Sequence, residues 1–268
     1  MSLSTILAPI DKEHAAATLA LANLVAAKLK APVNALIVKR DPVDAIPMIG
    51  EGISGDIVQQ IMDSAEAAAE ADAAAVRKAF ASWKGDSAAQ LSETVGRLEN
   101  AVARIGRAHG LTVISSSDGM RSAIDAALFE TGRPVLLAPL DEVKSVGDRV
   151  AIFWKSSAEA AKAVWGAMPF LRTAQKVKVF TVGDSDAELA DLQQLRAGLA
   201  LAGVKVEVQA IAPNSDGDAA QLIDAAADMD ADLVVMGGFT HSRLRELVLG
   251  GVTETALGNL ARPTLLAH

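Results

Sequence analysis

Short apolar runs alternate with longer, alanine-rich stretches along the whole chain. The short runs are rich in Val, Ile and Leu, as buried parallel strands require, whereas alanine favours helices. Strands that alternate with helices pair in parallel through right-handed crossovers, because a tight hairpin cannot join parallel neighbours. The pattern therefore predicts an α/β fold built from doubly wound parallel sheets.

The second half of the chain follows this plan clearly. Predicted strands cover residues 149–154, 177–182, 204–211, 232–236 and 264–267. Predicted helices cover residues 158–171, 186–201, 216–229 and 242–260. The sequence thus predicts that a helix separates each strand of this half from the next.

The first half follows the same plan less clearly. Predicted strands cover residues 5–10, 33–39, 111–114 and 135–138, with a weakly marked third strand near 81–84. Predicted helices cover residues 14–29, 56–80 and 92–109. Residues 41–55 contain two prolines and three glycines, so this segment is predicted to be a loop.

The two halves repeat one another. Arg133-Pro134-Val135-Leu136-Leu137-Ala138 recurs as Arg262-Pro263-Thr264-Leu265-Leu266-Ala267, and residues 6–11 and 111–114 correspond to 150–155 and 233–236. A chain of 268 residues also exceeds the usual size of one domain. We therefore predict two tandem domains of five parallel strands each, at residues 1–143 and 144–268.

Charge and composition narrow the range of partners. The net charge of -8 disfavours a broad electrostatic surface for nucleic acid or anionic lipid. The chain has no cysteine, which suits a reducing compartment, and neither an export signal nor a stretch of about 18 apolar residues is found. These features predict a cytoplasmic protein with no membrane or nucleic-acid partner, and they leave a small-molecule ligand open.

The most informative segment follows the strand at 232–236 and opens the last predicted helix. Glycines at such a turn let backbone N–H groups approach a phosphate, and a helix N-terminus adds partial positive charge. In doubly wound sheets ligands bind beyond the carboxyl ends of the strands, where Asp11 and Lys155 are also expected. The candidate ligand-binding residues are Gly237, Gly238, Thr240, His241, Ser242, Arg243, Gly250, Gly251, Thr253, Lys155 and Asp11.

The spacing from Gly237 to Thr253 resembles the phosphate-binding loop of the universal stress protein family. Residues 148–161, 6–11 and the closing strand at 262–267 are similar to other parts of that family, so the resemblance covers nearly the whole chain as two copies. It implies the Rossmann-like fold of adenine nucleotide alpha hydrolases, a stress-response role and, in some members, bound ATP or AMP. It also implies that the last strands of the copies pair within the chain as a pseudo-dimer, and it leaves room for a homodimer of whole chains.

Several positions depart from the nucleotide-binding pattern. Asp11 matches the carboxylate that lies near adenosine in binding members, but Lys155 takes its place in the second copy. Thr240 replaces the second glycine of the loop, and Gly251 replaces the closing Ser or Thr. The loop of the first copy is shorter and contains Asp118, which would repel phosphate. Either a nucleotide would need contacts beyond those of the family's pattern, or one of the two sites binds a different anion.

Structural readings of the same residues stay open. Asp11 could cap the helix that follows it, Lys155 could be solvated, and the three tryptophans could be core or interface residues. No histidine spacing suggests a metal site, and no Ser/His/Asp arrangement suggests a catalytic nucleophile. We therefore expect no enzymatic activity, or at most slow ATP hydrolysis. Two functions follow: a regulator that binds a nucleotide or another phosphate-bearing ligand in the second copy, or a scaffold without nucleotide that acts through domain pairing.

Overall fold

The computed structural model describes residues 5–46, 54–83, 85, 88–183, 185–215, 217–238 and 261–268. Its strands are β1 (Ile6–Pro9), β2 (Val33–Lys39), β3 (Gln90–Val95), β4 (Leu111–Ser115), β5 (Val135–Ala138), β6 (Arg149–Phe153), β7 (Lys176–Val182), β8 (Glu207–Ile211), β9 (Leu233–Gly237) and β10 (Thr264–Ala267). Its helices are α1 (Ala15–Leu29), α2 (Gly55–Ser82), α3 (Leu98–Gly106), α4 (Arg121–Glu130), α5 (Ala158–Gly166), α6 (Met168–Leu171), α7 (Asp186–Leu201) and α8 (Asp218–Asp228). Short 3-10 helices cover Pro42–Ala45 and Asp118–Met120.

All these strands form one sheet in the order β3-β2-β1-β4-β5-β10-β9-β6-β7-β8. The five strands of each half pair in parallel, and the order of the first half is repeated in the second. β5 and β10 pair antiparallel, with Leu265 opposite Leu136, and join the halves. The predicted α/β class is confirmed, and the predicted pairing of the last strands is observed. The boundary at 143/144 falls between β5 and β6 and stays a prediction.

Helices cover both faces of the sheet, so the central strands are buried on both sides and read as continuous apolar runs. One face packs against α1, α2, α5, α6 and α7. The other face packs against α3, α4 and α8. Each of these two hydrophobic cores takes residues from both halves of the chain, so the halves share their buried surface.

The third strand and the helix after it differ from the sequence prediction. Residues 81 and 82 end α2, and β3 pairs with β2 further along the chain, from Gln90 to Val95. The helix predicted at 92–109 begins only at Leu98, because Gly96 ends the strand at a φ of +136° that favours glycine. β3 is an edge strand with exposed polar residues, so its short pattern lacks the apolar run of the inner strands.

The helix predicted at 158–171 is divided into α5 and α6 at Ala167. Pro169 lies in the first turn of α6, where its missing N–H costs nothing. Inside a continuous helix the same proline would remove a hydrogen bond and clash with the preceding turn. Pro169 therefore explains the break between α5 and α6.

Polar contacts fix the start of the second half against its neighbours. The Asp232 carboxylate is 8% exposed and accepts hydrogen bonds from the backbone N–H groups of Asp148 at 2.9 Å and Arg149 at 2.8 Å. Lys28 of α1 donates to Asp148 at 2.5 Å. These bonds join the amino end of β6 to both β9 and the first half. Within the part of the chain that the structure describes, no helix is long and apolar enough to cross a membrane.

Candidate functional sites at the two edges of the sheet

The antiparallel pair of β5 and β10 sets the positions of the candidate sites. The carboxyl ends of the first-half strands point to one side of the sheet, and those of the second half point to the opposite side. We call these two rows of strand ends the first edge and the second edge. Asp11 follows β1 and therefore lies at the first edge, whereas Lys155, Gly237 and Gly238 lie at the second. The predicted residues thus form two separate sites rather than one.

The Asp11 carboxylate forms hydrogen bonds to the residues on either side of it in space, before α1 and after β4. Its Oδ1 accepts the backbone N–H of His14 at 2.5 Å and lies 3.2 Å from His14 Nδ1. Its Oδ2 accepts a hydrogen bond from the Ser117 hydroxyl at 3.2 Å. These contacts tie the residue before α1 to the loop after β4, but Asp11 is not the helix cap suggested by the sequence, because the N-cap of α1 is His14 and has no side-chain hydrogen bond.

A polar cavity of about 480 Å³ lies at the first edge. It is enclosed by residues after β2, by residues after β3 and by the start of α4. The lining residues are Val38, Arg40, Asp44, Gly96, Arg97, Leu98, Glu99, Gly119 and Ser122. The sequence prediction missed this cavity, because it placed residues 96–99 inside a helix; a strand at 90–95 would have put Gly96 and Arg97 at a strand end.

Two helix N-termini open onto this cavity. Leu98 and Glu99 begin α3, and Ser122 lies in the first turn of α4. Neither helix has a side-chain hydrogen bond from its capping residue, but α4 continues from the 3-10 helix before it, whose Asp118 carbonyl accepts the Arg121 N–H, so the uncapped N–H groups lie in the first turn of α3. These groups carry the positive end of the helix dipole and favour an anion.

The charged side chains around the cavity are of both signs. Arg97 donates to Asp44 at 3.2 Å and 3.3 Å, and this hydrogen-bonded pair raises the pKa of Arg97. Arg40 is exposed and makes no ion pair with any residue that the structure describes. Asp44 and Glu99 add two carboxylates to the lining. The cavity therefore offers donors for a phosphate and acceptors for hydroxyl groups.

At the second edge, Gly237 and Gly238 are placed by close packing. A Cβ atom on Gly237 would lie 2.5 Å from the backbone nitrogen of Ala160, in the first turn of α5. Gly238 donates its N–H to Ala267 at 2.7 Å, and a Cβ there would lie 3.0 Å from Leu128 Cδ2. Packing alone thus requires glycine at 237. The remaining candidates, Thr240, His241, Ser242, Arg243, Gly250, Gly251 and Thr253, lie outside the described residues.

Lys155 is exposed near the start of α7. Ser185 and Glu188 form a capping box there, and the Ser185 hydroxyl and N–H lower the pKa of Glu188, with a smaller contribution from the Lys155 charge. Trp154 and Trp83 pack against the core, whereas Trp165 is half exposed. Trp154 and Trp83 are partly buried where they meet the core.

The serine, histidine and carboxylate near Asp11 do not form a nucleophilic site. His14 and Ser117 both contact Asp11 rather than each other. Ser117 consequently has no imidazole base beside it. Among the residues with described positions, no group of three or more His, Cys, Asp or Glu could hold a metal ion.

The parallel strand order within each half and the helices on both faces of the sheet define an α/β protein of the Rossmann-like class. Residues 156–268 match the model of the Universal stress protein family, so the chain carries a domain of that family. The resemblance seen in the sequence is thereby confirmed for this part of the chain. No curated protein sequence matches the chain at a significant level.

Two solved structures share the fold over nearly the whole chain. A universal stress protein from Archaeoglobus fulgidus DSM 4304 is 15% identical, with a TM-score of 0.59, over 98% of this chain and 95% of its own. A protein of unknown function from Pseudomonas aeruginosa PAO1 is 14% identical, with a TM-score of 0.53, over 99% of this chain and 92% of its own. Both halves of the chain therefore belong to a fold that occurs in universal stress proteins.

Proposed function

We propose that this protein is a tandem universal stress protein that regulates a stress response by binding a phosphate-bearing ligand. An adenine nucleotide, ATP or AMP, is the first candidate. The family domain at residues 156–268 supports the regulatory role. We further propose a cytoplasmic location and no enzymatic turnover.

The polar cavity at the first edge is the observation that carries the proposal. Its volume of about 480 Å³ falls within the range of small-molecule pockets. The N-terminus of α3, together with Arg40 and Arg97, suits a phosphate, whereas Asp118 in the turn before α4 would repel one. Asp44 and Glu99 would repel a bare anion but accept hydrogen bonds from hydroxyls. A phosphate that carries a sugar therefore fits the lining better than inorganic phosphate.

The loop that begins at Gly237 remains the second proposed site. Gly237 ends β9 and Gly238 follows it, at the same edge as Lys155, where a phosphate-binding turn would begin. This proposal retains the prediction that the C-terminal half binds ligand. Calorimetry on a variant without the first-edge site would detect it as residual binding.

Calorimetric titration of ATP, AMP and inorganic phosphate into the full-length, nucleotide-stripped protein tests the function. We expect ATP or AMP to bind more tightly than phosphate. The double variant Arg40→Met/Arg97→Met should weaken nucleotide binding at the first edge about tenfold or more, because charge-assisted hydrogen bonds contribute about 1.5–3 kcal/mol each. Arg172→Met removes an exposed arginine elsewhere and should leave affinity unchanged. Absence of heat at millimolar ligand would contradict the proposal.

The alternative is a scaffold that binds no nucleotide and acts through domain pairing. The antiparallel β5–β10 pair and the two shared cores favour it, because both join the halves of the chain without a ligand. Mass spectrometry of the natively purified protein separates the two functions. A co-purifying nucleotide supports the regulator, whereas a ligand-free protein that is silent in calorimetry supports the scaffold.

A further inference from the structure

We propose that a second cavity binds a small organic cation with an apolar body. This α1–α2 cavity lies between α1, the carboxyl end of α2 and residues 142–143 of the segment that joins the two halves. Its volume of about 430 Å³ falls within the range of small-molecule pockets. The inference is independent of the proposed function, because the two cavities share no lining residue.

The face of α1 toward this cavity leaves room for an apolar group. Ala16 and Ala20 are one helical turn apart on that face, and each contributes only a methyl group to the lining. Leu19, also on this face, is 1% exposed and forms the base of the cavity. An apolar body the size of one ring can therefore lie against α1.

Trp83 gives the cavity an aromatic wall that is held in position. Its ring packs against the ring of Phe80, with 5.5 Å between the centroids and a tilt of 46°. A Cβ atom on Gly85 would overlap the Trp83 ring, so the backbone after α2 passes directly against it. A fixed indole ring stacks on flat apolar groups and attracts a cation to its face. Trp83 thus favours a cationic ligand that contains a ring.

The polar groups of the cavity favour the same charge. The Asn23 amide makes no hydrogen bond with any residue that the structure describes, and its oxygen can accept one from an ammonium group. Glu142 is exposed and is the one charged residue among the described residues of the lining. Residues 139–148, which include it, carry three acidic residues and one lysine. The cavity therefore attracts cations and repels phosphate, unlike the cavity beside Arg40 and Arg97.

Trp83 fluorescence tests the site, with 2-phenylethylamine as the cationic probe and phenylacetate as its anionic counterpart. In full-length Trp154→Phe/Trp165→Phe protein, Trp83 is the one remaining tryptophan. We expect the amine to shift the emission to shorter wavelength in a saturable way, because the probe replaces water at the ring. Phenylacetate should bind about threefold or more weakly. Calorimetry on the wild type checks the affinities without the two substitutions. No saturable response to millimolar amine, or equal affinities for both probes, would overturn the proposal.

An alanine substitution series locates the probe. Ala20→Leu fills the space beside α1 and should weaken amine binding about tenfold or more, because the larger side chain occupies the place of the probe. Ala27→Leu makes the same change at an exposed position of α1 and should leave the affinity unchanged. Circular dichroism verifies that both variants fold. Wild-type affinity in folded Ala20→Leu would refute the site.

Two further variants separate this site from the first-edge cavity. Glu142→Gln should narrow the difference in affinity between the two probes, whereas Asp228→Asn, at an exposed acid of α8, should not. An unchanged difference in Glu142→Gln would overturn the charge preference. Arg40→Met/Arg97→Met should bind the amine as the wild type does, and excess ATP should not displace it. If either expectation fails, the amine lies in the first-edge cavity and this proposal is wrong, whether or not the protein binds nucleotide.

Discussion

Glycine at position 237 is a residue whose role in packing can be separated from any role in binding. The Cβ of Gly237→Ala would lie 2.5 Å from the backbone of Ala160 in α5, and backbone cannot swing away as a side chain can. We expect a loss of about 1–3 kcal/mol in the free energy of unfolding, typical of overpacking. Urea denaturation measures it. Gly198→Ala in α7 should instead be neutral or stabilising by up to about 1 kcal/mol, and equal effects would contradict the packing argument.

Asp232 gives a second prediction at the residue scale. Its buried carboxylate accepts the backbone N–H groups of Asp148 and Arg149 at Oδ1, and the Asp148 N–H also lies 3.2 Å from Oδ2; Asp232→Asn would remove the charge from these bonds and turn an amide NH₂ toward the Asp148 N–H. We expect a loss of about 1–3 kcal/mol, measured by thermal and urea unfolding. Asp230→Asn, on the neighbouring residue, is the control, because no hydrogen bond of its side chain is seen in the described structure. A wild-type stability for Asp232→Asn would show that these bonds contribute nothing.

Single residues were predicted from the sequence where local chemistry decides their role. Asp11 stands three residues before His14, so its hydrogen bond to the His14 N–H is local and could be anticipated. Arg40 and Arg97 could not be anticipated, because they come together only through the pairing of β2 with β3. Their association depends on tertiary structure, which no local pattern records.

At the scale of elements, Arg77 connects α2 to the edge strand β3. Its guanidinium donates to Glu93 at 2.5 Å and 2.7 Å and to Glu70 at 2.7 Å. These bonds lower the pKa of both carboxyl groups. A lowered pKa in the folded state stabilises the fold above the unfolded pKa, and this contribution is lost as the pH falls through the folded pKa.

We therefore expect Arg77→Met to be less stable than the wild type at neutral pH, with a difference that shrinks as the pH falls below the ordinary glutamate value of 4.5. Chemical denaturation across pH 3 to 7, values chosen to span the glutamate titration, measures the effect. Lys78→Met removes a neighbouring exposed cation and should show no such pH dependence. A constant difference across the range would exclude the two carboxylates as its source.

Elements with a strong apolar pattern were predicted to the residue, and elements with a mixed pattern were not. The bounds of β2, β5, β10 and α7 match the prediction, since β5 and β10 are continuous buried runs, β2 is buried at its centre and α7 begins with a capping box. β3 was misplaced because an edge strand buries little of either face. The break before α6 was missed because Pro169 was read as part of a longer amphipathic helix.

At the scale of the whole molecule, the β5–β10 pair and the two shared cores make the halves interdependent. Residues 1–143 and 144–268, produced separately, should each be less stable than the full chain, because each leaves a buried strand edge and part of both cores exposed. Mixed together, they should form a one-to-one complex, which light scattering after gel filtration would detect. Separate halves that stay monodisperse, are as stable as the full chain and do not associate would contradict the interdependence of the two halves.

Covalent linkage of the two halves releases them from a constraint that acts on symmetric dimers. When two identical chains pair, one gene specifies both sites, and any change in one is copied into the other. Here the antiparallel seam between β5 and β10 brings together two different sequences, so one edge can keep an aspartate after its first strand while the other acquires a lysine. The duplicated architecture thus allows a single polypeptide to evolve two unlike ligand preferences without disturbing the interface that unites them.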